Sequence, residues 1–293
     1  MFPQEIRLKD ARILRMDDIR KKIQVSGGSI NETEIWIFGE KNEPVFVKIN
    51  KTAPPDFFQR EADGLEYIKN VDGAPIVPNV LFVSQHILIL EYLNLLQRPQ
   101  KDDIDFANRL LRLHRNTKEH FGLAYDNYIG KSRQKNGLYS NGATFYRDCR
   151  IAYLGKSLLE KGLLPLEMAR IIDAICDNME RFCPEEPPVI VHGDLWHGNW
   201  SHIQLEHGHF AGVVFDPAMY WGFRESDLAM LRLFGKPSDV FWDAYTHQYP
   251  LQDGYEEREL IFQLYHILNH VLMFGTTYHR TLYDHLVLIQ NIL

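Results

Sequence analysis

The chain is poor in cysteine: Cys149, Cys176 and Cys183 are the three it has, and none forms a close C-x-x-C pair. That speaks against a disulfide scaffold and for a reducing compartment, the cytoplasm. Long apolar runs are missing too. The most apolar late stretch, "LIFQLYHILNHVLMFG", is broken by Gln263, His266, Asn269 and His270. It reads as a buried helix rather than a membrane span. The opening "MFPQEIRLKD" brings charge by Glu5 and has no apolar core, so no secretory signal is expected. Positive charge is not in excess: 32 basic residues stand against 39 acidic ones, net −7. That balance argues against nucleic acid or an anionic membrane as partner. Repeats and low-complexity tracts are also lacking.

What is there reads as a globular protein, with 293 residues that suffice for one large domain or two modest ones. Its first ninety residues are strand-like. "KKIQVSGGSINETEIWIF" holds two short strands around a Gly-Gly turn, and "VFVKIN" is a third run rich in β-branched and aromatic residues. Pro54, Pro55 and Asp56 then start a helix with Phe57, Glu61, Leu65 and Ile68 on one face. "VPNVLFVSQHILILEYL" supplies two more strands. Beyond residue 92 helical periodicity takes over, as in "DDIDFANRLLRLHRN", "LEMARIIDAICDNMERF" and "YEERELIFQLYHILNHVLMF". Strands return only around residues 189–216. The fold class expected is α+β: a small β-rich lobe over residues 1–92, a larger, mostly helical lobe over 93–293, and the functional cleft between them.

Within that frame a few residues could carry chemistry. "SGGSIN" is a turn whose Gly27 and Gly28 would let backbone N–H groups approach phosphate oxygens, or simply a hairpin turn; it matches neither GxxxxGK[ST] nor GxGxxG. Lys48 interrupts an apolar strand, which is costly unless an anion such as Glu61 pairs with it; the alternative is a solvated lysine at a sheet edge. "VIVHGDLWHGNW" packs His192, Asp194, His197 and Asn199 into eight positions, and "GVVFDP" delivers Asp216 seventeen residues later. Phosphoryl transfer needs a carboxylate for the attacking hydroxyl and oxygen ligands for Mg²⁺. Asp194, Asn199 and Asp216 have those types in that order, with the Asp-x₄-Asn spacing of kinases. A zinc site fits less well, because His192 and His197 are five apart with no cysteine near.

These residues resemble the fructosamine-3-kinase (ketosamine kinase) family, a relative of aminoglycoside phosphotransferases and choline kinases within the protein-kinase-like fold. The resemblance rests on "VHGDLWHGNW", "FDPAMYWGFRESDLAMLRLFG" and "QLYHILNHVLMFG", and extends through "GGSIN", "VFVK" and "DNYIG". It implies a two-lobed kinase using ATP and Mg²⁺. Lys48 would hold the nucleotide phosphates and pair with Glu61, with Gly27 and Gly28 covering them. The backbone around Glu91 and Leu93 would meet adenine. Asp194 would act on the sugar hydroxyl, and Asn199 and Asp216 would bind Mg²⁺. Asp227 would brace the catalytic loop. The sequence departs from the family at His197, Trp221 and "LFGKP", so His197 is given no role.

Ten residues separate Asp216 from Asp227, too few for a peptide platform, so a small-molecule acceptor is expected. His266, Asn269 and His270 form a polar stripe on an apolar helix. Asn269 and His270 are expected to line the acceptor pocket with Trp196, or else to be satisfied core groups. The expected substrate is a ketosamine such as a fructosamine or ribulosamine, phosphorylated, by the resemblance, on the 3-hydroxyl. The alternatives are an aminoglycoside or small-alcohol kinase, with Glu225 and Asp227 as acidic candidates, and a nucleotide-binding pseudokinase scaffold.

Overall fold

A computed structural model describes residues 4–25, 30–96, 103–235 and 237–293. The chain opens on an antiparallel hairpin of β1 (Glu5–Arg7) and β2 (Ile13–Arg15). Strands of three residues are too short for an alternating pattern, so this pair is not visible in the sequence. Five longer strands follow: β3 (Ile19–Gln24), β4 (Glu32–Phe38), β5 (Glu43–Ile49), β6 (Val80–Val83) and β7 (Ile87–Glu91). They form one antiparallel sheet in the order β3-β4-β5-β7-β6. The helix α1 (Phe57–Lys69) connects β5 to β6.

Period-two alternation divides the sheet into two faces. Val45, Val47 and Ile49 of β5 pack with Trp36, Phe38, Ile87 and Ile89, and with Ile6 and Leu14 of the hairpin, in a core of their own. On the other face, Leu88 and Leu90 meet Phe58, Leu65 and Ile68 of α1 and join the main core of the molecule. Lys48, paired across the ladder with Thr33 and Leu88, shares this inner face and is 2% exposed. It is not a lysine at a solvated edge.

The larger lobe begins with α2 (Asp103–His114), which buries Phe106, Leu110 and Leu113 as its periodicity predicts. A second short hairpin follows, β8 (Asn127–Ile129) with β9 (Ser132–Gln134). This corrects the expectation that strands return only near residue 189. Its buried positions are Asn127, Ser132 and Gln134 along with Ile129, so no apolar alternation marks it. The helix α3 (Gly142–Tyr146) runs through a wide π turn at Arg147–Ile151 into α4 (Ala152–Glu160), and α5 (Leu166–Asp177) follows.

Two antiparallel pairs carry the central motif: β10 (Val189–Val191) with β13 (Tyr220–Gly222), and β11 (Trp200–Gln204) with β12 (Phe210–Val214). Next come α6 (Arg224–Leu233), α7 (Asp239–Gln248), α8 (Tyr255–Phe274) and α9 (His279–Gln290). The core helix α8 starts after Gly254 at φ +83° and stops at Gly275 at φ +69°. Both are left-handed positions that favour glycine. The result is a β-sheet lobe and a larger helical lobe with a cleft between them. Among the described residues no helix is long and apolar enough to cross a membrane.

Candidate active site

The segment between β10 and β11 is a tight loop whose backbone is dictated from outside. Gly193 has φ +82°, and a Cβ there would stand 2.2 Å from the Ala218 carbonyl oxygen. Asp227, in the first turn of α6, accepts the backbone N–H of His192 at 2.6 Å and of Gly193 at 2.9 Å. His114 lies 3.2 Å from the same carboxylate. Burial opposes ionisation of Asp227, but the His114 contact, nearby positive charge and the Gly193 N–H outweigh it and lower its pKa. A brace for the loop is the role the resemblance implies for Asp227.

His192 donates from Nε2 to the Phe215 carbonyl at 3.0 Å and accepts the Asp194 N–H at Nδ1, 3.3 Å away. Burial lowers its pKa. Both ring nitrogens are engaged, so the histidine ties the loop to the end of β12 and offers no lone pair to zinc. Trp196 folds its indole over Gly198, where a Cβ would come within 2.4 Å of the ring. His197 is exposed, with its ring edge-on to Trp196 at 4.8 Å.

Around this loop the acidic groups converge on Lys48. Its ammonium pairs with Glu61 at 2.5 Å and with Asp216. Burial works against the charged lysine, but the two carboxylates outweigh it and its pKa rises. Glu61 is pushed up to about 6 by burial, which Lys48 opposes and Asp216 reinforces. Two anions face the single ammonium, so the lysine stays protonated.

Asp216 follows β12 in a left-handed conformation, φ +59°. Asp194 is pushed up to about 7 by burial and by the Asp216 charge, against the Asn199 hydrogen bond. Asn199 Nδ2 donates to the Asp194 carbonyl at 2.8 Å and to its carboxylate at 3.1 Å. That leaves Asn199 Oδ1 to ligate. One ammonium, paired with two carboxylates, thus shares the cleft with a third, and the deficit of positive charge suits a divalent cation. The donors on offer are hard oxygens, which Mg²⁺ prefers. Among the described residues no cluster of three His, Cys, Asp or Glu side chains could hold a metal by itself. Mg²⁺ commonly draws its remaining ligands from waters and substrate phosphates.

Lys48, Glu61, Asp194, Trp196, Asn199 and Asp216 all line one open cleft, the kind of concave site where ligands bind. Gly27 and Gly28 lie outside the described residues. Glu91 closes β7, its carboxylate taken by Asn79 at 2.6 Å, and Leu93 follows outside any strand or helix; neither lines this cleft. Asn269 and His270 are not in its lining either. Asn269 is 1% exposed and its Oδ1 has no hydrogen-bond partner among the described residues. His270 donates from Nδ1 to the His266 carbonyl of its own helix at 2.7 Å and lies against Phe234 and Tyr278. Glu225 is fully buried and paired with Arg258 at 2.7 Å, so it presents no acid to a polycation.

Sequence reasoning missed the cleft wall formed by Arg60, Tyr128 and Gly130. Tyr128 donates to Asp56 at 2.8 Å and so links the β8–β9 hairpin to the start of α1. The "DNYIG" motif was the available signal, but a motif names no contact.

Comparison with known proteins follows the same lines. The family model described as fructosamine kinase matches residues 1–292. A "Probable ketoamine kinase" of Vibrio parahaemolyticus is 34% identical over 268 residues, 89% of each chain. The solved structure of a "putative fructosamine-3-kinase" from Thermobifida fusca superposes with a TM-score of 0.83 at 30% identity, over 93% of this chain and 94% of that one. An ADP-bound aminoglycoside phosphotransferase, APH(2″)-Ib, shares the fold at a TM-score of 0.59 and 19% identity, covering 92% of each chain. The chain belongs to the fructosamine kinase family and is a phosphotransferase with an alcohol group as acceptor.

Proposed function

We propose that the chain transfers the γ-phosphoryl group of ATP to the 3-hydroxyl of a ketosamine, such as a fructosamine or ribulosamine. The observation that carries this reading is the convergence of Asp194, Asn199, Asp216 and the Lys48–Glu61 pair on one cleft. The ketoamine kinase name of its relative supports the acceptor class, and the ADP-bound neighbour supports an adenine nucleotide.

In this reading Lys48 binds the phosphates and Glu61 orients it. Asp194 accepts the proton of the sugar hydroxyl as its oxygen forms the new bond to phosphorus and the bond to the ADP oxygen breaks. Burial and the Asp216 charge both make Asp194 a stronger base than a solvated aspartate. Asn199 Oδ1 and Asp216 would hold Mg²⁺, whose charge would offset that of the phosphates. Trp196 presents an apolar face to the sugar or its amine substituent.

Asn269 and His270 belong to the acceptor side. Support comes from the unpaired Asn269 Oδ1, and from Met273 one turn further along α8, whose sulfur lies 2.6 Å from a Cβ built on Gly130 in the cleft wall. His270→Ala is expected to raise the acceptor KM with little change in Tm; lower Tm at unchanged KM would assign it to the core. The cytoplasm is the compartment we infer, consistent with three free thiols.

A coupled ADP-release assay over fructosamines, ribulosamines and aminoglycosides tests the function. ATP consumption that depends on added ketosamine is expected. Turnover with aminoglycosides alone would replace the acceptor class, and nucleotide binding without turnover on any acceptor would make the chain a scaffold.

A further inference from the structure

Beneath the cleft floor lies a group of buried amides that neither phosphate nor acceptor binding uses. Asn127, Gln134 and Asn136, from the β8–β9 hairpin and the residues just after it, are 4, 2 and 8% exposed. Gln134 Nε2 donates to the Ala218 carbonyl at 2.9 Å, and Asn127 Nδ2 to the Met219 carbonyl at 2.8 Å. Those two carbonyls follow Asp216 by two and three residues.

Each amide has its orientation set by its neighbours. The Tyr265 hydroxyl donates to Gln134 Oε1 at 2.7 Å, which turns the Gln134 NH₂ toward Ala218 and toward Asn127 Oδ1, 2.8 Å away. Asn127 Oδ1 also receives Asn136 Nδ2 at 2.9 Å, so the Asn127 NH₂ is left for Met219. Arg150, wholly buried and stacked 4.0 Å above the Tyr220 ring, donates to Asn136 Oδ1 at 3.1 Å and ends the chain. A network satisfied in one orientation only is rigid.

Rigidity is needed at this point. Asp216 holds a left-handed backbone, uncommon outside glycine though aspartate tolerates it better than most, so packing around it helps to fix it. Three elements box in the segment that follows. Pro217 lies against α1, where a Cβ on Gly64 would be 3.1 Å from its ring; the Ala218 carbonyl abuts Gly193 of the catalytic loop; and the hairpin amides hold the two carbonyls. We infer that Asn127 and Gln134 are positioning residues that keep the Asp216 carboxylate aimed at Lys48 and the Mg²⁺ site by gripping the Ala218 and Met219 carbonyls. This rests on the reading of Asp216 as a metal ligand.

The test measures Mn²⁺ binding by electron paramagnetic resonance in protein saturated with the β,γ-imido analogue of ATP. Gln134→Met keeps the volume and removes the donors, and should raise the Mn²⁺ Kd about tenfold, the equivalent of one lost buried hydrogen bond. Tyr265→Phe, which only frees the Gln134 amide to turn, should raise it about threefold and decides by itself if Gln134→Met does not fold. Leu282→Ala, in the α9 core, should lower Tm and leave the Kd unchanged. Hydrogen exchange of the amides at 218–222 should quicken in Gln134→Met. If Asp216→Asn retains Mn²⁺ affinity, the metal-ligand reading itself fails. If Asp216→Asn loses affinity while Gln134→Met and Tyr265→Phe keep it, or if Leu282→Ala shifts it equally, the positioning role is overturned.

Discussion

Asp194 is the residue on which the chemistry turns. Its carboxylate lines the cleft half-buried, close to the Asp216 charge, and is held by a single side-chain amide. Asp194→Asn should lower kcat by about 10²–10⁴, the usual contribution of a positioned general base, with nucleotide binding little changed. Single-turnover and steady-state ADP release would read this, and unchanged turnover on every acceptor would remove Asp194 from the mechanism. Residue identity here was legible in the chain because Asp-x₄-Asn followed by a strand-borne Asp is a constellation of types and spacings. The grip on Asp227 by His114 was not, because 113 residues separate the pair and nothing local marks either one.

At the scale of the element, the catalytic loop is held more by its neighbours than by itself. Gly193→Ala combines an unfavourable φ with a Cβ 2.2 Å from a backbone oxygen that cannot move away. The substitution should cost about 2 kcal/mol or more, read as a lower urea midpoint with unchanged slope, and should impair turnover beyond the loss of folded protein. A stability within about 0.5 kcal/mol of wild type would show that the loop has slack. The five-stranded sheet and the long helices were readable from period-two and helical patterns. The β8–β9 hairpin was not, because its buried face is mostly amide and hydroxyl, and periodicity of apolar residues cannot report a polar interior.

Across the whole molecule, proton linkage runs in two directions. Asp194 and Glu61 are raised, so the folded state binds their protons more readily than the unfolded chain does. His192, His266 and His285 are lowered by burial, His266 to about 3. A histidine with a depressed folded pKa gains a proton on unfolding, so its stabilisation is full above about pH 6.5 and declines as pH falls. His285 isolates that effect outside the cleft lining, with Nε2 donating to the Leu260 carbonyl at 2.7 Å. Relative to His285→Gln, wild type should lose stability as pH drops below about 6.5, by at most about 1.4 kcal/mol per pH unit. Urea midpoints of both proteins between about pH 7.5 and 5.5 would show it; parallel profiles would mean His285 protonates in place.

The sequence alone determined the order of the longer strands and helices, the two-lobed class and the chemical types at the site, since those depend on local pattern and on which groups phosphoryl transfer requires. It also set Lys48 on the face of its strand opposite Val45, Val47 and Ile49, and left open whether that face meets solvent; the structure buries it. Tertiary structure decided what those groups experience. Burial and the Asp216 charge raise Asp194 and Glu61, while Lys48, which meets Asp216 from 168 residues away, opposes the rise of Glu61. The same packing put Asn269 beneath the surface, and set the polar hairpin under the metal-binding segment. Desolvation and Coulomb interaction depend on distance in space, and one dimension of sequence carries no measure of that.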